Sequence, residues 1–269
     1  MYFFFFDEEG KNELKEYYIA YFDILGYKAY FEDENIDENS FLHTITECMK
    51  DIKKGIQIAE NLNMNEIKID YRVYSDNFLF YIDGEIEELK ALTAFSYLLS
   101  LIQHRLLKKH SILLRGGVTK GKFYAGKEFI FGKDLIDAYK LENEEALYSR
   151  IIFNKKCFSK KTIKTLIDAD YIIQDEDEYC YINFFSCLGE IEEENSLKAN
   201  IVKLTNINSR YRNTTDLKKI HERERLVAKY LWLITRYNEY FESRNKKENL
   251  ILYKTEINKR VLKVEVSCR

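Results

Sequence analysis

The stretch Tyr18-Ile19-Ala20-Tyr21-Phe22-Asp23-Ile24-Leu25-Gly26-Tyr27 places one carboxylate near the end of an apolar run that is typical of a buried β-strand. Leaving even a neutral polar group unpaired in such a place costs roughly 2–7 kcal/mol, and an unpaired charge costs more. Asp23 therefore needs a partner, which is either a bound cation or an ion pair with a core Lys or Arg. Gly26 allows a sharp turn or a close approach of the backbone to a ligand.

A second carboxylate, Asp76, lies between the apolar segments 67–74 and 77–82. Ser75-Asp76-Asn77 is ordinary turn chemistry, so Asp76 alone is well explained by a hairpin. Two carboxylates at a strand end and in an adjacent hairpin can nevertheless converge, and Mg²⁺ is commonly held by one or two carboxylates together with substrate phosphates. Asp23 and Asp76 together therefore favour a magnesium site for chemistry on a nucleoside triphosphate, with backbone amides after Asp23 around the phosphates.

The composition narrows the class of protein. With 269 residues, 46% of them hydrophobic, and a net charge of -3, the chain has no global field that would draw it onto nucleic acid or an anionic membrane. Five scattered cysteines without a CxxC pair predict reduced thiols in the cytoplasm. The apolar start 1–6 lacks a basic lead and ends at Asp7, and no run approaches the ~20 apolar residues of a membrane span. We expect a soluble protein.

Apolar periodicity predicts an α+β fold, a ferredoxin-like antiparallel sheet with helices covering one side. Asn39 or Ser40 is expected to cap the first helix, and Gly116, Gly117 and Gly121 are expected to join two separate strands. The first helix is expected to bury Leu42, Ile45, Met49, Ile52 and Ile56. The predicted strands are 17–24, 67–74, 77–82, 111–118, 122–131, 150–153 and, at the sheet edge, 179–185; the predicted helices are 39–62, 86–109 and 133–148.

The pattern changes beyond about residue 190, where charge dominates. Segments 190–206 and 215–247 predict a helical hairpin that packs on the core or on a partner. Its apolar positions are Leu226, Tyr230, Leu233, Tyr237 and Phe241. We therefore divide the chain into a catalytic domain at 14–189 and a helical extension at 190–269.

Four segments, in order, resemble the catalytic domain of class III nucleotidyl cyclases. They are Phe22-Asp23-Ile24-Leu25-Gly26-Tyr27, Tyr74-Ser75-Asp76, Leu114-Arg115-Gly116-Gly117-Val118-Thr119-Lys120-Gly121, and Phe131-Gly132 followed by Ala138-Tyr139-Lys140-Leu141-Glu142. They are similar to the family's Phe-x-Asp-Ile-x-Gly-Phe start, Gly-Asp hairpin, Leu-Arg-x-Gly-Ile-x-x-Gly strand and Asn-x-Ala-x-Arg-x-Glu helix. The combination looks closest to the pyrimidine cyclases of bacterial anti-phage signalling (Pycsar).

The resemblance implies a set of site residues and two divalent cations, Mg²⁺ or Mn²⁺, in each site. Asp23, Ile24 and Asp76 would hold the cations, which would activate the ribose 3′-hydroxyl to attack the α-phosphate and expel pyrophosphate. Asp23, Asp76 and Lys140 would be the catalytic residues. Substrate binding would involve Arg72, Ile24, Gly26, Tyr27 and Arg115.

The resemblance also implies a homodimer in which Arg72 and Lys140 act in the partner's site. Arg72 stands at the family's base-selecting position, and an Arg fork donates to the carbonyl acceptors of uracil or cytosine, so CTP or UTP is the expected substrate, although adenine remains open. Ile136 and Lys140 stand where the family has the ribose-orienting Asn and the transition-state Arg. Lys140 keeps the charge but loses the bidentate fork, and Arg115, Lys120 or Lys122 would have to supply the missing donors.

Two alternatives stay open at this point. The first is a catalytically degenerate cyclase-like sensor that binds a nucleotide and signals through the C-terminal extension. The departures from the family pattern at Ile136 and Lys140 favour this alternative. The second is a relative that joins two nucleotides, as diguanylate cyclases do, but no Gly-Gly-Asp/Glu-Glu-Phe run occurs. We expect no nucleic-acid partner, because basic and aromatic residues form no concentrated stripe.

Overall fold

The computed structural model describes residues 13–27, 37–62, 67–187, 197–202, 217–246, 249–258 and 261–268. The strands are β1 (Lys15–Ile24), β2 (Asp70–Tyr74), β3 (Asn77–Asp83), β4 (Leu114–Ala125), β5 (Ile130–Phe131), β6 (Ile151–Phe153), β7 (Ile172–Gln174), β8 (Cys180–Ile182), β9 (Ile251–Asn258) and β10 (Val261–Cys268). The helices are α1 (Glu38–Leu62), α2 (Glu88–His110), α3 (Lys133–Lys140), α4 (Lys160–Asp168) and α5 (Leu217–Glu242), and a π-helical turn (Leu141–Glu145) continues α3.

The strands β2-β3-β1-β4-β6-β8-β7 form one sheet, and β5 pairs with β4. The chain order β1-α1-β2-β3-α2-β4 with the spatial order β2-β3-β1-β4 is the ferredoxin-like arrangement, so the predicted α+β class is confirmed. All neighbouring pairs on this path are antiparallel except β4 and β6, which run parallel. β1 is central because both of its edges are paired.

Alternation along β1 gives the sheet two different faces. Tyr18, Ala20 and Phe22 point into the main core beneath α1 and α2, where the Phe22 ring stacks on Phe78 at 5.1 Å. Ile19 packs on the other face with Ala138 of α3. The prediction that helices cover only one side is therefore wrong, since α3 covers part of the second face.

The start of α1 also differs from the prediction. Asp37 is the capping residue, because its carboxylate accepts hydrogen bonds from the Ser40 amide at 3.0 Å and the Asn39 amide at 3.4 Å. Asn39 and Ser40 lie inside the helix. Of the predicted apolar face, Ile52 and Ile56 are buried and Ile45 and Met49 are half-buried. Leu42 is 63% exposed, so its predicted burial is wrong.

The predicted break between two strands at 111–118 and 122–131 does not exist. β4 is continuous through all three glycines, and they serve instead for close approach. A Cβ on Gly117 would lie 2.6 Å from Leu141 Cγ, and one on Gly121 would collide with Asp134 of α3. A side chain at Gly116 would collide with Phe22 of β1. The glycines therefore let α3 and β1 sit directly against β4.

The region after β6 contains elements that the sequence pattern did not predict, namely α4 and β7. The predicted strand 179–185 is found as β8, which pairs with β6, and β7 pairs on its outer side. Helix α5 confirms the predicted segment 215–247, and Leu233, Tyr237 and Phe241 are buried against the domain. Segment 190–206 is described only at 197–202, which is helical, and the proposed boundary at 189/190 lies outside the described residues. The extension is also not wholly helical, because β9 and β10 form an antiparallel hairpin.

Helices α1 and α2 are joined by a buried carboxylate, Asp51. Lys109 Nζ donates to both of its oxygens at 2.8 and 3.0 Å, and His110 Nε2 lies 3.5 Å from Oδ2. Burial alone would raise the pKa of Asp51, but the Lys109 and His110 contacts outweigh it and lower the pKa below 3.8. A carboxyl whose pKa is lower in the folded than in the unfolded state stabilises the fold at pH values above its unfolded-state pKa. This stabilisation is lost as the pH falls through its folded-state pKa.

We expect Asp51→Asn to lower the free energy of unfolding by about 1–2 kcal/mol near pH 7, since Lys109 is half exposed and loses a charged acceptor. The difference from the unaltered chain should shrink as the pH falls from 7 toward about 3, because the Asp51 carboxylate of the unaltered chain is protonated first in the unfolded state and then in the folded state. Urea denaturation at the two pH values measures it, with the exposed Asp168→Asn as control. A destabilisation that stays constant with pH would contradict the ion-pair explanation.

A search of the described helices for one long and apolar enough to cross a membrane finds none.

Candidate active site

Two rows of side chains cross the second face of the sheet near the end of β1. Tyr74, Asn77, Asp23 and Arg115 lie opposite one another on β2, β3, β1 and β4. The neighbouring row consists of Arg72, Leu79, Tyr21 and Gly117. Because directly opposed residues in antiparallel strands point to the same face, both rows share one surface.

The turn that carries Asp76 is bonded to the end of β1, next to the strand position of Asp23. The Ile24 amide donates to the Asp76 carbonyl at 3.2 Å, which ties the β2–β3 turn to the end of β1. Asn77 Nδ2 donates to Asp76 Oδ1 at 3.1 Å, and Asn77 is the direct cross-strand neighbour of Asp23. The Asp76 carboxylate is therefore held toward the face that carries Asp23.

Tyr21 fixes the other side of Asn77. Its hydroxyl donates to Asn77 Oδ1 at 2.8 Å. Burial, followed by the negative charges of Glu142 and Asp23, raises the pKa of Tyr21 to about 12, and Asp76 adds to the same effect. Four anionic or potentially anionic groups, those of Tyr21, Glu142, Asp23 and Asp76, thus lie near one another on this face. The Tyr21 hydroxyl stays protonated and serves as a donor.

The first partner of Asp23 is Arg115. Arg115 Nη2 lies 3.0 Å and Nε 3.4 Å from the two carboxylate oxygens, which is a bidentate pair. Nη2 of Arg115 also pairs with Glu142. The alternative of an ion pair for Asp23 is therefore present in the structure, and Arg115 contacts Asp23 and Glu142.

Sequence reasoning gave Glu142 no role, yet it is a buried member of the site. It lies in the π-helical turn, and the absence of a side chain at Gly117 lets the preceding Leu141 pack on β4. Burial and then the neighbouring Asp23 raise the pKa of Glu142 to about 7, while Arg115 lowers it. Its match to the last Glu of the family's helix motif was a signal for a role, but its helical position did not distinguish it from a solvent-exposed Glu.

The turn after β1 has the predicted sharp form. Gly26 has a φ of 82°, in the left-handed region, and the Leu25 amide donates to the Leu113 carbonyl at 2.9 Å. Ile24 is buried, and Tyr27 packs against the main core. Of these predicted substrate-binding residues, Gly26 is exposed, Tyr27 is half-buried and Ile24 is buried.

Arg72 and Lys140 are separated from the Asp23–Arg115 pair. Arg72 shares the face with Asp23 but donates to the carbonyls of Tyr71 and Gly126, both at 3.0 Å. Lys140 is exposed at the end of α3, on the same helix face as Ile136, which is 55% exposed. Within the described part of the chain, Lys140 forms no ion pair. Neither residue is brought to Asp23 within one chain.

The C-terminal helix adds a residue that the sequence pattern did not predict. Lys229 of α5 interacts electrostatically with Arg115, Asp23 and Glu142. It was missed because a Lys in a charged amphipathic helix reads as solvent-exposed.

The donor set fits a hard divalent cation. Asp23 and Asp76 offer only oxygen, the ligand type preferred by Mg²⁺ and Mn²⁺. Among the described residues, no group of three or more His, Cys, Asp or Glu side chains forms a ready metal cage. Mg²⁺ does not require one, because it retains waters and substrate phosphates beside one or two carboxylates. The two aspartates therefore suit a cation that arrives with a phosphorylated ligand.

No protein-family model matches the chain, and no curated protein does. Among solved structures, the guanylyl cyclase domain of the RhoGC fusion protein from the fungus Blastocladiella emersonii is similar at 12% identity, with a TM-score of 0.46, over 63% of this chain and 95% of that chain. The guanylate cyclase domain of RhGC from Catenaria anguillulae, in complex with GTP, gives 12% and 0.42 over 62% and 93%. A bacterial light-regulated adenylyl cyclase gives 12% and 0.42 over 71% and 58%. At these values the likenesses decide neither the activity nor the substrate of this chain.

Proposed function

We propose that this protein is a nucleotidyl cyclase of the class III type, which converts CTP or UTP to the 3′,5′-cyclic monophosphate and pyrophosphate. The observation that supports it most is the position of the Asp76 turn beside the end of β1, where the Ile24 amide bonds the Asp76 carbonyl and Asn77, the cross-strand neighbour of Asp23, bonds the Asp76 carboxylate. The spacing of these residues in the sequence resembles that family, and both side chains offer only oxygen ligands near the end of the central strand β1. A soluble, cytoplasmic second-messenger enzyme in anti-phage defence is the setting that we propose with it.

In this proposal each residue has a separate task. Asp23, Asp76 and the Ile24 carbonyl would hold two Mg²⁺ or Mn²⁺ ions, and the exposed backbone of the Gly26 turn would lie beside the triphosphate. The bound ions would lower the pKa of the ribose hydroxyl and neutralise the phosphates. Arg115 holds the Asp23 carboxylate in one orientation through its bidentate pair, which makes it a positioning residue for the site.

We propose further that two copies of the chain form a two-fold dimer with two equivalent sites. An exposed apolar surface around α3 supports this, since Phe131, Ile136 and Tyr139 are 68%, 55% and 48% exposed. Lys140 lies on the same surface and would act in the partner's site on the phosphates. Arg72 would select the base there, once its bonds to backbone carbonyls are exchanged for a pyrimidine carbonyl. Adenine is the alternative base.

A second candidate function is a nucleotide sensor that has lost catalysis. The observation that favours it is the pairing of Arg115 with both Asp23 and Glu142, which already neutralises one of the two cation ligands. Such a protein would bind a nucleotide and signal through α5. It would release no pyrophosphate from any triphosphate.

The substrate proposal is tested by incubating the full chain with each of the four ribonucleoside triphosphates and Mn²⁺, and identifying products by mass. We expect a cyclic monophosphate from CTP or UTP together with pyrophosphate, and much less from GTP. Cyclic AMP as the main product would show that the substrate base is adenine, while the assignment as a nucleotidyl cyclase would stand. Binding of a nucleotide without release of pyrophosphate would contradict the cyclase and support the catalytically inactive sensor.

A further inference from the structure

A short chain of hydrogen bonds leads from the central strand to the Asp76 side chain. The Tyr21 hydroxyl donates to Asn77 Oδ1 at 2.8 Å, and Asn77 Nδ2 donates to Asp76 Oδ1 at 3.1 Å. An ionised carboxylate only accepts hydrogen bonds, so the amino group of Asn77 has to face Asp76. The carbonyl oxygen of Asn77 then faces Tyr21 and accepts from its hydroxyl. Both bonds therefore run in one direction, from Tyr21 toward Asp76.

The register of β1 and β3 explains why these side chains meet. Tyr21 lies opposite Leu79, and Asn77 lies two positions before Leu79 on the same strand. Tyr21 and Asn77 are therefore diagonal neighbours on one face of the sheet, at a spacing of about 7–8 Å that an aromatic side chain can span. Asn77 is also directly opposite Asp23. It thus adjoins both proposed cation ligands, Asp23 across the strands and Asp76 along the chain.

The Tyr21 end of this chain of bonds is held in place by the fold. Strand β1 is paired along both of its edges. The Tyr21 side chain is half-buried and packs on the cluster that contains Ile19 and Ala138. Its ring lies edge-on to the ring of Tyr139 in α3, with centroids 6.1 Å apart. The hydroxyl is therefore a donor at a defined position on the face.

The Asp76 end is held by the backbone of a tight turn and by Asn77. Ser75 and Asp76 form the two-residue connection between β2 and β3, and Ser75 has a φ of 58°. The Asp76 carbonyl accepts from the Ile24 amide at 3.2 Å. These features fix the backbone of Asp76 but leave its side chain to rotate. The bond from Asn77 orients the carboxylate, whose other lone pairs stay available to a cation.

We propose that Tyr21 and Asn77 are positioning residues that hold the Asp76 carboxylate ready for a divalent cation. The inference rests on the proposed function for the identity of this site. It adds two residues that lie outside the four segments on which the family resemblance is based. A carboxylate that is already oriented loses less rotational freedom when the cation binds, so the affinity for the cation is higher. Tyr21 acts through Asn77.

The test titrates Mn²⁺ alone into the full chain and follows the electron paramagnetic resonance signal of free Mn²⁺. Asp76→Asn defines the part of the binding that depends on Asp76. We expect Tyr21→Phe, which removes only the hydroxyl, to weaken that part about 5-fold. Tyr17→Phe is the matched control, because Tyr17 points to the same face of β1 and packs its ring on Tyr81 and Phe123. It should bind Mn²⁺ like the unaltered chain.

A double substitution shows whether Tyr21 acts through Asn77 or independently of it. We expect Asn77→Ala to weaken the Asp76-dependent binding of Mn²⁺ about 10-fold, because it removes the donor itself. Adding Tyr21→Phe to Asn77→Ala should then change the affinity by less than about twofold, since the two residues form one chain of contacts. A further 5-fold loss in the double variant would overturn the inference.

Two other results would overturn it, which are equal Mn²⁺ affinity of Tyr21→Phe and the unaltered chain, and no Asp76-dependent binding of Mn²⁺ by the unaltered chain. Urea denaturation of each chain accompanies the titrations. A purely structural Tyr21 would lower the urea midpoint and leave the Mn²⁺ affinity unchanged. The proposed function fails separately. Tyr21-dependent binding of Mn²⁺ by a chain that forms no cyclic nucleotide would support the positioning role and contradict the cyclase.

Discussion

An Asp76→Asn chain is expected to form cyclic nucleotide on the order of 1000 times more slowly than the unaltered chain, because a metal ligand contributes several kcal/mol to the transition state. The fold should survive the change. The Asp76 side chain accepts one hydrogen bond, from Asn77, and an Asn oxygen can accept the same bond. Initial rates of pyrophosphate release, with a urea denaturation curve for each chain, measure both properties.

The control for this experiment is Asp83→Asn, which removes an exposed carboxylate at the opposite end of the same strand β3. It should leave the rate within about twofold, as is usual for a surface substitution. Asp23→Asn should also lose activity, but it leaves Arg115 with Glu142 alone and should lower stability as well. Full activity of the Asp76→Asn chain would show that Asp76 takes no part in catalysis.

Asp175→Ala is expected to lower the free energy of unfolding by about 3–5 kcal/mol, the usual cost of breaking a buried charge network. Asp175 is the shared acceptor for Arg150, Arg236 and Trp232. Arg150 is fully buried, so the loss leaves a charge with only Asp177 to compensate it. The same change should loosen α5, which is attached through Trp232 and Arg236.

Urea denaturation followed by Trp232 fluorescence measures this effect, since Trp232 is the single Trp of the chain. Glu178→Ala is the matched control, because Glu178 is 82% exposed and lies 3.7 Å from Lys155. It should change stability by less than about 1 kcal/mol. Equal effects of the two substitutions would show that α5 is not held by the Asp175 network.

The candidate site was predictable where local pattern and chemistry agreed. The carboxylate in the first strand and the turn around Asp76 were visible because a charge in an apolar run and a turn triplet are local signals. The pairing of β1 with β3 then places Asp23 opposite Asn77, the residue that follows Asp76. The ferredoxin-like order followed from the alternation of strand and helix patterns.

The parts that depend on long-range packing were not predictable. The glycines of β4 were interpreted as breaks because a sequence does not show that Leu141 and Asp134 occupy the space of their missing side chains. Glu142 and Lys229 sit in helical patterns that are also typical of surface residues, and only the approach of α3 and α5 buries them. Asp37 was overlooked as a cap because Asn39 and Ser40 are equally good capping types.

The most direct test of the central claim measures Mn²⁺ binding by electron paramagnetic resonance in the presence of an unreactive nucleoside triphosphate analogue. We predict that the unaltered chain and Asp83→Asn retain Mn²⁺ beyond that carried by the free nucleotide, and that Asp23→Asn and Asp76→Asn each lose most of it. Retention of the full amount by both variants would contradict a cation site shared by these two aspartates.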